Sequence, residues 1–368
     1  MEKKKSFLQS EGVQALLCSL LCIVIGVLIG YVVLLLINPA GATDAILAIL
    51  KNWANSTRAT LRLKNLGSTL VNTAPLLLCS LSVLFAYKVG LFNIGASGQY
   101  TAGIIVSLYG ALALHLHWTV CVVLAIIAGA IVGAISGALK AFQNVSEVIS
   151  GIMLNWILLY TANMVLSNVK QASDIYTLKL EQSAPQAILP QMGLNTFFNN
   201  HQYVGIAIPI ALIAAVVIWV VLEKTKLGYE LKATGLNKNG AKYAGMKENR
   251  NIILTLAISG GLAGLAAACL YLTGIAQWSV ASASVPGMGF NGIAAAFLGG
   301  LSPIGSILSS YFIQHITIGG SFVDLSVYPS QVADLISSII IYLCGFVAFF
   351  KLMLNQVLTK KSTKGGKE

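Results

Sequence analysis

The chain is poor in charge. Of its 368 residues only 10% are Asp, Glu, Lys or Arg, against about 25% in a soluble domain. At 57% hydrophobic, with a mean hydropathy of +0.81, it carries more apolar surface than a water-soluble core could hide. A soluble globule is therefore excluded. Strand-like alternation is missing as well, which argues against a membrane β-barrel. No Gly-x-x-x-x-Gly-Lys-[Ser/Thr] loop occurs, so that ATP-binding element is absent. Neither His-Glu-x-x-His, Cys-x-x-Cys nor Gly-x-Ser-x-Gly is found, and no nucleophile, base or metal set points to a membrane enzyme. The cysteines (Cys18, Cys22, Cys79, Cys121, Cys269 and Cys344) sit in apolar runs without ligand spacing and read as small packing residues. His115 and His117 share a turn, but too few ligands accompany them for a metal site. No metal and no cofactor is expected. Acids and bases are nearly missing inside the apolar runs: Glu147, Asp324, Asp334 and Lys88 all fall near run ends. That scarcity speaks against an ion-driven carrier and against a channel ringed by charge.

What the chain does have is a series of apolar runs long enough to cross a bilayer as helix. Val13–Ile37 is longer than a signal-peptide core and ends at Asn38-Pro39. Ala40–Asn65 is mixed, with helical spacing over Asp44–Trp53, and reads as an external amphipathic helix and loop. Further runs follow at Leu66–Tyr87 (with Pro75 as a kink), Tyr100–Leu114, Trp118–Leu139, Glu147–Leu166, Tyr203–Leu222, Ile252–Thr273, Ser306–Ile318 and Gln331–Phe350. Gly289–Leu298 is too short to span alone and meets a breaker cluster, Gly299–Gly305. The fold class expected is an all-α integral membrane protein of about ten transmembrane helices, some short or broken. Gly129, Gly133 and Gly137 share one helix face, where a second helix can approach closely. Seventeen of the 23 Lys and Arg fall in segments this layout places in the cytoplasm, and six outside. Both termini are then cytoplasmic, and the net charge of +11 reflects membrane orientation rather than nucleic-acid binding. Lys51, Arg58, Arg62 and Lys64 fit that rule worst.

The chain is organised around Val89–Gln99, V-G-L-F-N-I-G-A-S-G-Q, which lies between two apolar runs. Glycines weaken helix there, and its amides need partners or a wet cavity. Its core, Leu91–Ala96, is echoed by Gly289–Ala294. The two halves, 66–166 and 252–350, run in opposite directions in this layout. That is the pattern of an inverted-topology repeat, with a transport pathway at the repeat interface. The domain plan is an N-terminal helix and external segment over 1–65, a permease-like bundle over 66–350, and a basic cytoplasmic tail over 351–368. Candidate pathway residues are Phe92, Asn93, Gln99, Asn155, Phe290 and Asn291, since aromatic faces stack on rings and amides bond hydroxyls. Each, taken alone, also reads as a packing or capping residue.

A transport architecture with no ion relay and no nucleotide loop implies a motor on another chain. The contact for it is the basic loop Glu223–Asn251, whose bland alternative is a merely solvated loop. In it Asn237 can cap a short helix and Gly245 can end it.

At these residues the chain resembles a known family. Gly90–Gln99 resembles the G-L-F-N-I-G-A-E-G-Q signature of ABC-importer permeases of the ribose and branched-chain amino acid superfamily, in its nucleoside and simple-sugar branch. Ser97 departs from that pattern, which has Glu. Gly228–Met246 resembles the superfamily's G-x-x-x-x-A-x-G-x-N-x-x-A-A-x-x-x-G-[IM] segment, with Gly240 at one usual Ala position and Ala241 at the other. Gly287–Ala294 and Leu298-Gly299-Gly300 are similar too. The resemblance implies a bacterial-type plasma-membrane subunit that moves nucleosides by alternating access. It implies as partners a second related permease, two cytoplasmic ATP-hydrolysing subunits, an external substrate-binding lipoprotein and membrane lipid. The chain itself would not be an enzyme. The coupling segment would present Gly228, Gly235, Asn237, Ala241, Lys242, Tyr243 and Gly245 to an ATPase subunit. A simple-sugar permease is the alternative, and a secondary transporter a more distant one.

Overall fold

The computed structural model describes residues 11–172, 174–324, 326–329 and 331–344, with Phe346, Phe349 and Met353. Residues 1–10 of the expected N-terminal segment and all of the 351–368 tail except Met353 lie outside the described residues. Among the described residues no strand forms, only two isolated bridges, Lys170 with Thr177 and Tyr176 with Ser279. The helices are α1 (Glu11–Ile37), α2 (Ala42–Lys51), α3 (Ala59–Lys88), α4 (Ala96–Leu112), α5 (Trp118–Gln143) and α6 (Glu147–Leu166). Two single turns follow, α7 (Leu180–Ser183) and α8 (Leu194–Phe197). Then come α9 (Ala207–Lys224), α10 (Lys226–Leu236), α11 (Lys238–Tyr243), α12 (Glu248–Tyr271), α13 (Gly287–Leu298), α14 (Pro303–Gly319) and α15 (Val332–Cys344). Six are long and apolar enough to cross a membrane: α1, α3, α5, α6, α9 and α12, with α13 a shorter apolar helix. The chain is a multi-pass membrane protein.

The axis of the bundle is α3 with α5 and α12. The buried core runs along α3 from Val71 to Ala86 almost without interruption. The glycine stripe of α5 meets α12 backbone to backbone: Gly129 lies on Gly260 and Gly264, Gly133 on Leu256, and Gly137 on Ile253. Small residues let the two backbones approach closely, which is how apolar helices gain contact in lipid. α1 stands at the edge, where Gly30 and Gly26 receive Ile336 and Ile340 of α15. The segment after α1 is tied to α14 and its following turn. Trp53 donates its Nε1–H to the Tyr311 hydroxyl at 3.0 Å, and Asn52 Nδ2 donates to the His315 carbonyl at 2.7 Å.

The start of α3 differs most from the sequence expectation. α3 begins at Ala59, not Leu66. Ala59–Asn65 is rich in good helix formers, so the helix continues past its apolar stretch into a charged, exposed extension. Pro75, the expected kink, lies inside the continuous helix α3. As expected, α13 is only 12 residues long, roughly 18 Å. It stops at Gly299–Ser302 and the chain restarts at Pro303, whose missing N–H costs nothing at the start of a helix.

Candidate functional site

The break between α3 and α4 is built by a helix stop of defined geometry. Gly90, at φ +79°, takes the left-handed conformation. Its N–H donates to the Tyr87 carbonyl at 3.0 Å, and that of Leu91 to the Ala86 carbonyl at 3.0 Å. This double closure ends α3 and satisfies carbonyls that would otherwise be orphaned. The next residues, Leu91–Gly95, are not helical, so their polar groups need partners from elsewhere.

Asn93 supplies one set. It is 2% exposed and joins three helices. Its Nδ2 donates to Gln99 Oε1 of α4 at 2.7 Å, to Ser259 Oγ of α12 at 2.7 Å, and more weakly to Ser82 Oγ of α3 at 3.2 Å. Gln99 Nε2 returns a bond to Asn93 Oδ1 at 3.1 Å, and Ser259 Oγ donates to the Ser82 carbonyl at 2.6 Å. Asn155 of α6 supplies the other set. Its Nδ2 donates to the Ile94 carbonyl at 3.1 Å, and its Oδ1 accepts from Gly98 N at 2.7 Å. The approach of α6 to the start of α4 is so close that a Cβ on Gly98 would sit 2.9 Å from the Asn155 Cα. Ser82, Ser259, Asn93 and Gln99 thus form one amide–hydroxyl knot with no charged member, while Asn155 ties α6 to the Ile94–Gly98 backbone beside it and the Glu147 carboxylate lies against the Phe92 N–H.

The second copy of the motif comes to the same place. Gly289 of α13 rests directly on Ser97 of α4, and Ser97 Oγ donates to the Pro286 carbonyl at 3.0 Å. Gly292, one turn on, lies against Cys79 of α3. Phe290 is 39% exposed and Asn291 half-buried, with no hydrogen-bond partner for Asn291 among the described residues. Phe92 is half-buried. The structure therefore divides the six sequence-derived candidates. Asn93 and Gln99 are occupied with one another and Asn155 with the backbone of Ile94 and Gly98, whereas Phe290 is exposed and Asn291 only half-buried. The chain leading to α13 is anchored as well: Asn163 of α6 donates to the Ser282 carbonyl at 2.8 Å and accepts from Trp278 Nε1 at 3.1 Å.

At one end of the bundle α10 and α11 form a compact unit. Thr225 Oγ1 caps α10 by accepting from Gly228 N at 3.1 Å. Gly228 lies against the last turns of α9 at Val221 and Leu222. Asn237 Oδ1 caps α11 by accepting from Gly240 N at 2.9 Å. α11 closes with the same double bond that ends α3, Gly245 N to Lys242 O and Met246 N to Ala241 O, with Gly245 at φ +80°. Ala241 is buried, while Tyr243 is 94% and Leu236 89% exposed. Lys242 pairs loosely with Glu248 at 3.7 Å. A cleft of about 340 Å³ opens between α10 and the turn into α12, lined by residues that include Tyr229, Met246 and Arg250.

This unit touches the broken segment directly. Gly235 of α10 lies on the Val89 carbonyl and Gly90, with no room for a side chain on either glycine. Asn251, in the first turn of α12, donates to Thr234 Oγ1 at 2.8 Å. Sequence reasoning missed Thr234 and Asn251 because an Asn and a Thr 17 residues apart carry no pairing signal. It also missed Ser82 and Ser259, the hydroxyls that complete the knot.

Three comparisons set this geometry beside known proteins. A family model described as branched-chain amino acid transport system / permease component matches residues 65–345. The chain is 34% identical over 282 residues to the guanosine ABC transporter permease protein NupP of Bacillus subtilis, covering 75% of this chain and 79% of the relative. It is 31% identical over 362 residues to the nucleoside ABC transporter permease protein NupB of Lactococcus lactis, covering 96% of each. It is 28% identical over 304 residues to the glucose ABC transporter permease protein TsgB13 of Haloferax volcanii, covering 78% of this chain and 77% of the relative. No solved structure matches.

Proposed function

Because the chain belongs to the branched-chain amino acid transport system permease component family, we propose from that premise that it is the membrane subunit of an ATP-driven importer of nucleosides. The observation that carries the substrate class is the 31% identity to a nucleoside permease along 96% of both chains. The glucose permease relative favours a sugar as the second reading. The partners are a second related permease, two ATP-hydrolysing subunits and an external substrate-binding lipoprotein. The distribution of Lys and Arg supports a cytoplasmic side for both termini and the α10–α11 unit and an outer side for the α7–α8 segment.

In this reading α10 and α11 receive the ATPase subunit. Tyr243 and Leu236 project outward as the docking side chains, while Gly228, Asn237, Ala241 and Gly245 keep the unit folded. Motion of that unit reaches the membrane by two contacts, Gly235 on Val89–Gly90 and Thr234 on Asn251. These contacts move the end of α3 and the base of α12, the two helices that meet at Asn93. The knot then keeps the broken segment rigid, so displacement is carried to α4 and α13 instead of being absorbed. Phe290 and Asn291 face the solute path.

The test is reconstitution with the partner subunits in proteoliposomes, with uptake of labelled guanosine and glucose compared. Uptake of the nucleoside is expected; uptake of the sugar alone rejects the substrate class. Replacing Lys242 and Tyr243 together by Glu is expected to abolish uptake while ATP hydrolysis continues. Unchanged uptake and unchanged ATPase binding reject the coupling role.

A further inference from the structure

α6 is divided by environment, not by polarity. Its inner side is made of small or short groups: Ser150, Gly151, Asn155, Leu159 and Ala162. Its outer side carries Trp156, 43% exposed, and Tyr160, 61% exposed, with rings stacked at 6.2 Å between centroids and 28° between planes. These two residues stand about 15 and 21 Å along a helix of about 30 Å. That is mid-depth, whereas the aromatics that anchor helices in lipid sit at the two interfaces. Neither the Trp156 indole N–H nor the Tyr160 hydroxyl has a hydrogen-bond partner among the described residues. In hydrocarbon an unpartnered donor is costly, so a lipid-facing position at this depth is disfavoured. The contrast lies on the same helix, where Asn163 satisfies the Trp278 indole.

Asn155 and Gly289 both pack on the Ser97–Gly98 step, one from α6 and one from α13. Trp156 and Phe290 follow them directly in the chain, and both emerge at the surface. We propose that Trp156 and Tyr160 form a stacking surface for the heterocyclic base of the solute, on the wall that this chain contributes to the transport path. The inference rests on the nucleoside-importer reading and adds to it the residues that recognise the base. Flat rings give sequence-tolerant stacking on any base, and the indole N–H and phenol O–H add neutral hydrogen bonds suited to an uncharged solute.

The experiment uses the whole complex in proteoliposomes, with Tyr160→Cys, Trp156→Cys and, on the exposed face of α9, Val216→Cys as the lipid-side control. The probe is a charged, membrane-impermeant thiol reagent. Labelling at positions 156 and 160 is expected, slowed by saturating guanosine, with position 216 unreactive. In parallel, Trp156→Ala is expected to raise the KM for guanosine uptake about ten-fold, with Trp156→Phe restoring most of it. Guanosine uptake without protection at either cysteine, or with an unmoved KM in Trp156→Ala, overturns the inference and leaves the nucleoside reading standing. Protection by glucose but not by guanosine overturns both.

Discussion

The two copies of the Phe-Asn motif share residues and little else. In the first, Asn93 is sealed in the bundle, and each end of its amide is bonded to α3, α4 or α12. In the second, Asn291 sits in the first turns of α13, half-buried and without a partner among the described residues. The difference comes from the backbone. The first copy is non-helical, so its peptide groups must be satisfied by side chains, and the local amides are recruited for that task. The second lies at the start of a helix whose ladder takes up its carbonyls, so its side chains are not recruited to satisfy backbone and are free to face outward. The same sequence signal therefore marks a structural joint in one half and an available surface in the other.

The strongest way to break this comparison is to remove each amide in turn. Asn93→Ala strands both ends of the buried Gln99 amide, at about 1–3 kcal/mol for each group left unsatisfied, while the Ser82–Ser259 pair keeps its own bonds. A loss of about 3 kcal/mol is expected, read as a lowered unfolding temperature of the purified complex. Asn291→Ala is expected to change stability by less than about 0.5 kcal/mol, as for a surface position, while reducing uptake. Equal destabilisation by the two would end the distinction.

Backbone approach offers the next test. A Cβ on Gly98 meets Asn155 Oδ1 at 2.7 Å and its Cα at 2.9 Å, so Gly98→Ala must push α6 off the start of α4. About 1–3 kcal/mol is expected. Gly287, at the start of α13, has nothing within 4 Å of such a Cβ, and Gly287→Ala is expected to be near neutral. Between the two copies stands the Ser97–Pro286 bond. Ser97→Ala removes one neutral hydrogen bond, worth about 1 kcal/mol. The thermal shift of Ser97→Ala should therefore fall between those of Gly98→Ala and Gly287→Ala.

How much of this was legible in the sequence follows from the range of each interaction. Spans, breaks and caps depend on a few adjacent residues, so the short α13, the Asn237 cap and the Gly245 stop could all be read. The glycine stripe of α5 could be read too, because its period is the helix period. The helix contact it makes was legible, but the partner, α12, was not. The knot was visible only as isolated amides: Asn93 finds Ser259 across 166 residues, and no local pattern announces a serine as its partner. Asn155 could be singled out while the adjacent Trp156 was passed over as a pathway residue. Large apolar residues are spread all round α6 and its few polar ones form no continuous stripe, so polarity does not fix which face turns inward.

The smallest effect separates the joint from the ends of the bundle. Neither motif copy contains a titratable group, so the deficit caused by Asn93→Ala should be the same near pH 7.5 and near pH 5.5. His201, in the loop before α9, behaves differently. Its Nδ1 accepts from Tyr203 N at 3.3 Å, so in the neutral ring Nε2 carries the proton and donates to Ser68 Oγ of α3 at 2.7 Å. Burial, with Lys64 adding to it, holds this imidazole below its ordinary value of 6.5. The unfolded chain then binds a proton at a higher pH than the folded one. The stabilising contribution is complete above about pH 6.5 and declines as pH falls from there through the folded-state value. Protonation also turns Nδ1 into a donor facing the Tyr203 N–H. The wild-type complex should lose a little thermal stability between those two pH values, and His201→Gln should lose less of it. A pH-dependent deficit in Asn93→Ala would instead tie the knot to a titrating group and undo its description as a charge-free joint.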